Sequence, residues 1–102
     1  MSRVNEIKKF WEQIKERDGG MCRIPLEDFS FCGNPGIEPC HIIPKSRGHW
    51  RGINDVQNGI WGCRECHSIT HTFEGRKRCI KYLRDTFGYD YSDKHYQEYL
   101  GA

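Results

Sequence analysis

Apolar residues recur at three- and four-residue steps near the start of the chain, at Val4, Ile7, Phe10, Trp11 and Ile14, with Lys, Glu and Arg on the remaining face. That period predicts an amphipathic helix over about residues 3–18, laid as a lid on a small core. Ser2 suits its N-cap, and Gly19-Gly20 stops it. From Met21 to Pro39 the pattern dissolves into turn residues, Gly33-Asn34-Pro35-Gly36 among them, which predicts irregular chain with short extended pieces. Pro39 to Pro44 then reads as a short strand, with His41 and Ile43 on one face and Cys40 and Ile42 on the other. Lys45 to Gln57 is a loop, and Ile60-Trp61 offers a second strand. Arg64 to about Thr72 suits a helix that places His67 and His71 on one face at i and i+4. A further helix runs through Ile80, Leu83 and Phe87 to Gly88, with Cys79 and Tyr82 near its apolar side. Ser92 suits the cap of a last short helix carrying Tyr96, Tyr99 and Leu100. The expected class is α+β.

At 102 residues this is one domain with room for a modest core, a size at which a metal or disulfide staple is often needed. Six cysteines can supply either. Met1 to Gly20 is charged throughout, with no apolar run fit for a signal peptide or a membrane span. A cytoplasmic location with reduced thiols is therefore expected. Cys63-x-x-Cys66 favours metal over disulfide, because that spacing lets one turn present two sulfurs to a tetrahedral ion. The net charge of +2 and pI near 8.2 are too mild to predict nucleic-acid binding by themselves. A four-thiolate zinc would bring the net charge close to zero, leaving any DNA affinity to local patches.

The candidate chemistry is an ordered series: Cys40-His41, then Asn58, then Cys63-x-x-Cys66-His67-x-x-x-His71. Folding alone does not require it. Thiolates and imidazoles bind zinc and similar ions, and a neutral imidazole near pKa 6.5 can accept a proton from water. Plainer readings stand beside this one: His41 as a core histidine, Asn58 as a turn residue before Gly59, His67 and His71 as an exposed pair. Cys22 and Cys32 sit where they can anchor the irregular segment, and Cys79 falls within an apolar helix stripe, as a core thiol would.

The run Cys40-His41-Ile42-Ile43-Pro44-Lys45-Ser46, followed by Asn58 and Cys63-Arg64-Glu65-Cys66-His67, resembles the HNH endonucleases, also called ββα-metal or His-Me finger nucleases. Eight residues separate Asn58 from His67 and three separate His67 from His71, the spacing of family members with two helix histidines as ligands. The likeness covers about residues 22–72. Cys22-Arg23-Ile24-Pro25 with Cys32-Gly33-Asn34-Pro35 is also similar to the small nucleases of lambdoid prophages, of the YbcO type, which implies a phage or prophage origin.

The resemblance implies a ββα-metal core with flanking helices over about residues 3–18 and 73–100. It makes His41 the general base, Asn58 the residue that ties the loop to the strand bearing His41, and His67 and His71 ligands of a catalytic divalent ion, Mg2+, Mn2+, Ni2+ or Zn2+. Cys40 departs from the family pattern, which has Asp or His as the third ligand. A thiol there can ligate a soft transition ion, sit in the core, or mark a site without its usual metal. Cys22, Cys32, Cys63 and Cys66 form the expected structural Zn2+ site. The nine-residue gap between Cys22 and Cys32 leaves room for Cys40 to replace either. Lys45, Arg47, Trp50 and Arg51, with His49, are cations interleaved with one aromatic, fit to track phosphates and stack on a base, although a solvated loop has the same composition.

These observations lead to the expectation of a metal-dependent endonuclease acting on duplex or branched DNA, as a monomer or homodimer without a membrane partner. The alternatives are a non-catalytic zinc-dependent nucleic-acid-binding module and a phage adaptor protein.

Overall fold

In the computed structural model, which describes residues 3–44 and 50–100, the first apolar stripe folds as helix α1 (Arg3–Asp18). Ser2, Lys45, Arg47 and His49 lie outside the described residues. Phe10 and Ile14 are buried against Trp61, with Val56 at the margin. Trp11, 43% exposed, meets Trp61 edge-on instead of completing the stripe. Gly19 and Gly20 end the helix at φ 68° and 75°, the left-handed region that glycine enters without a Cβ clash.

The helix is locked to the sheet by a feature its periodicity does not reveal. Arg17 forms two bonds to Asp18, at 2.8 and 3.0 Å, and donates to the carbonyls of Val56 and Gly59. Asp18 in turn accepts the Trp61 backbone N–H at 2.9 Å. A buried ion pair is tolerated only when its remaining polar atoms are satisfied, and these bonds satisfy them. A Cβ on Gly59 would stand 2.5 Å from the Phe10 ring, so glycine is what lets α1 approach this closely.

Strand β1 (Glu38–His41) pairs antiparallel with β2 (Gly59–Gly62), in the register Glu38↔Gly62 to His41↔Gly59. The first strand starts one residue earlier than its sequence suggests and stops at His41. The reason is its partner: β2 begins only at Gly59, after a 3-10 turn over Val56–Asn58, so the Ile42 N–H bonds to the Asn58 carbonyl beyond the strand. Residues 21–37 form an irregular loop, as expected, held to β2 by Arg23 N–H to Trp61 O and Ile37 N–H to Gly62 O.

The helix expected over Arg64 to Thr72 is corrected to a turn at residues 64–66 followed by a 3-10 helix, His67–His71. Thr72 closes onto the Ile69 carbonyl and caps helix α2 (Phe73–Phe87) through Gly75 N–H at 3.0 Å, leaving no length for a second α-turn. Positions i and i+4 share a face in an α-helix but not in a 3-10 helix. Helix α2 buries Gly75, Cys79, Ile80 and Leu83 and ends at Gly88, as its periodicity predicts. The C-terminal cap is Asp93 rather than Ser92: its carboxylate accepts the His95 N–H and starts a 3-10 turn over Lys94–Tyr96 that runs into α3 (Gln97–Leu100). Tyr91, Tyr96 and Tyr99 join Ile24, Ile42, Ile43, Ile60, Ile80 and Leu83 in the main core.

The described residues thus form a small α+β fold of three α-helices and a two-stranded sheet. Among them no helix is long and apolar enough to cross a membrane.

Candidate metal centres

Strand β2 ends by delivering Cys63 and Cys66 to a turn, and the loop pinned beside it brings Cys22 and Cys32 to the same point. The four sulfurs lie within 4.8 Å of one another. The Sγ atoms of Cys32 and Cys63 are 3.8 Å apart. Zinc–sulfur bonds of about 2.3 Å place tetrahedral sulfurs about 3.8 Å apart, whereas a disulfide needs about 2.05 Å. All four are free thiols. Burial, and then the facing Cys63 thiol, pushes the Cys66 thiol well above its ordinary value. Burial also raises Cys22, opposed by the backbone N–H groups of Cys63 and Ile24. At the rim, the Asn34 N–H, 3.5 Å from the sulfur, lowers Cys32. Crowded buried sulfurs resist ionising together, and a central cation removes that obstacle. The donor chemistry therefore fits: these four cysteines can hold a metal such as zinc, clamping the loop to the end of β2. Cys40 does not belong to this group.

Cys40 instead joins a second set of donors. Glu38, Cys40 and His67 offer a carboxylate oxygen, a thiol and a ring nitrogen within 4.8 Å of one another. His67 Nδ1 and Glu38 Oε1 are 2.6 Å apart, both side chains about one-third exposed. Cys40 is buried, and burial followed by the Glu38 charge raises its thiol strongly, so without a cation it is a neutral core group. The His71 ring sits 5.0 Å from that of His67 but is exposed and not part of the donor set. Glu38 was missed in the sequence, yet it stands two residues before Cys40, the spacing that places both on one face of a strand.

Because β1 stays regular through His41, alternation turns His41 to the other face, toward α1. There its ring stacks on Phe10 at 4.8 Å, and Nε2 lies 2.9 Å from Asn54 Oδ1. The structure does not bring Cys40 and His41 to one point. Asn58 is fully buried: its Oδ1 accepts the Ile43 N–H at 2.7 Å, and its Nδ2 donates to the carbonyls of Ile43 and Ile53. It fastens the segment after β1 to the loop, using donor and acceptor together.

Trp50 packs inward: His95 stacks on its ring at 4.1 Å, and Tyr96 meets it edge-on. That partner occupies one ring face. Arg51 is exposed at the mouth of a cavity of about 290 Å³ that also carries Asp55, Asp90 and Asp93. Cys79 is a core thiol pushed up to about 12 by burial. No protein-family model, curated protein or solved structure matches this chain.

Proposed function

We propose that this protein is a metal-dependent endonuclease of the HNH type, hydrolysing phosphodiester bonds in DNA. The observation that carries the reading is the buried Asn58, whose three hydrogen bonds hold the loop against the segment leaving β1. This is the tie that the resemblance assigns to that position, and a turn asparagine before Gly59 would not need burial. In this reading His41 is the general base. Its ring plane is held by Phe10 and its edge by Asn54.

Glu38, His67 and Cys40 would hold the catalytic ion, with Glu38 supplying the hard oxygen that Cys40 lacks. The His71 ring lies edge-on beside that of His67. A bound divalent cation supplies positive charge against the phosphate and the departing oxygen. Strand β1 has β2 as its one sheet neighbour among the described residues. Arg51 in the connecting loop, together with Lys45 and Arg47, would add phosphate contacts.

A zinc-dependent nucleic-acid-binding module without turnover is the second reading. It is favoured by the placement of His41 and the Glu38–Cys40–His67 group on opposite faces of β1. Incubation of the purified protein with supercoiled plasmid across a divalent-metal series separates the two. Metal-dependent nicking is expected, and filter retention of DNA without nicking in any metal would favour the second reading.

A further inference from the structure

The bond between Asn54 and His41 bears on which ring nitrogen holds the proton. Asn54 lies 13 residues along the chain, in the loop before the 3-10 turn at Val56–Asn58, and its Oδ1 is 2.9 Å from His41 Nε2. An amide can present either end to an imidazole. Here the far end decides: Asn54 Nδ2 donates to Glu6 Oε1, at 3.4 Å, on the exposed side of α1. A carboxylate only accepts. The NH₂ end of Asn54 must therefore face Glu6, and its oxygen must face His41. An oxygen accepts, so Nε2 donates, and in the neutral ring the proton-accepting nitrogen is Nδ1. Stacking on Phe10 fixes the plane of the same ring, so its plane and its protonated edge are set from two different elements.

We propose that Asn54, oriented by Glu6 of α1, is a positioning residue that holds His41 in the Nε2–H tautomer and so makes Nδ1 the proton acceptor. Its catalytic consequence rests on the endonuclease reading above. In that reaction the water oxygen forms the new P–O bond and its proton passes to His41 Nδ1. The breaking P–O bond leaves its electron pair on the sugar oxygen, which takes a proton from solvent. The role of Asn54 is distinct from that of Asn58, whose side chain bonds the backbone groups of Ile43 and Ile53. A groove lined by Glu6, Lys9, Gln13, Asn54, Asp55 and Val56 opens beside the Glu6–Asn54 contact and keeps it within reach of solvent. Helix α1 thereby acquires a part in the site beyond covering the core.

The test is the tautomer itself. In protein labelled with nitrogen-15 at histidine, held near pH 8 where an ordinary imidazole is neutral, long-range proton–nitrogen correlation reads each ring nitrogen separately. His41 should show a protonated Nε2 with a slowly exchanging proton and an unprotonated Nδ1. Asn54→Ala should lose that slow proton with the backbone spectrum and zinc content unchanged, while Asn54→Asp combined with Glu6→Gln, which keeps an acceptor toward His41 and a donor–acceptor pair behind it, should retain it. A protonated Nδ1 in the wild-type protein, or a slow Nε2 proton unchanged in Asn54→Ala, overturns the proposal, and the first of these needs no variant to fold.

A parallel plasmid assay tests the catalytic consequence. Asn54→Ala should lower kcat roughly tenfold with KM unchanged, and Asn54→Asp combined with Glu6→Gln should recover most of it, as expected for an outer hydrogen-bond partner. Equal kcat in Asn54→Ala and wild type overturns the catalytic role of the contact. Cleavage absent from wild type in every metal overturns the endonuclease reading and that role with it, while the tautomer measurement still decides the Asn54–His41 bond.

Discussion

The four-cysteine cluster and the Glu38–Cys40–His67 group are drawn from overlapping stretches of chain but are built differently. The first has four identical soft donors, three of them buried, recruited from the irregular loop and from the turn that follows β2. The second has three unlike donors, of which two already pair with each other at 2.6 Å near solvent. A uniform, crowded sulfur set is unstable without a cation and contributes to folding when it has one. A mixed and partly exposed set satisfies itself without an ion and leaves room for exchange. One cluster is suited to holding the fold, the other to meeting a ligand.

The largest effect should come from breaking the first cluster. Protein purified without added metal should retain about one zinc per chain, and chelation, or Cys63→Ser with Cys66→Ser, should unfold it, since structural zinc commonly contributes about 10–16 kcal/mol of apparent binding energy. Metal analysis and thermal melting check this, and a metal-free protein that melts normally would remove the contrast. Next in size is Asn58→Ala. It strands the Ile43 N–H and two carbonyls in the core, and urea denaturation should show a loss of about 3 kcal/mol or more.

Glu38→Gln should change stability by less than about 1 kcal/mol, because the ion pair it weakens is partly exposed. It should nevertheless reduce the second, exchangeable metal and the nicking rate while the tightly held zinc stays. His71→Ala should do less than Glu38→Gln in the same titration, and the reverse order would return His71 to the ligand set in place of Glu38.

Asp93→Asn is a control outside both clusters. The Asp93 carboxyl is held below its ordinary value by the His95 backbone N–H and then by the His95 ring. A lowered folded pKa means that the carboxylate's stabilisation is present above the unfolded value near 4 and is lost as pH falls through the folded value. The substitution should therefore cost about 1 kcal/mol or less near neutral pH, with the difference from wild type vanishing in acid and metal content unaltered. Acid and neutral melts compare the two proteins.

Helices α1 and α2 were legible because their apolar period and the glycines at 19, 20 and 88 are local signals. Cys63 and Cys66 announced themselves by spacing. Cys22 and Cys32 were expected beside them, with Cys40 able to replace either; what decides the choice is the docking of their irregular loop on β2, which no short pattern encodes. The histidine segment was misjudged in type because the requirement at Thr72 to cap α2 tightened it into a 3-10 helix. The opposite orientation of Cys40 and His41 followed from strand alternation, whereas Asn54 had no signal at all. Its importance arises from a contact across 13 residues and a second one to Glu6 on α1.

The most direct test of the account is plasmid cleavage by His41→Ala beside wild type and His67→Ala, at matched pH and metal. The account predicts that His41→Ala lowers nicking by roughly 10² to 10⁴ without changing zinc content or DNA affinity, as loss of a general base should. His67→Ala should lose nicking together with the exchangeable metal. Nicking by His41→Ala at the wild-type rate would contradict the account and leave the zinc-dependent binding module as the better description of this fold.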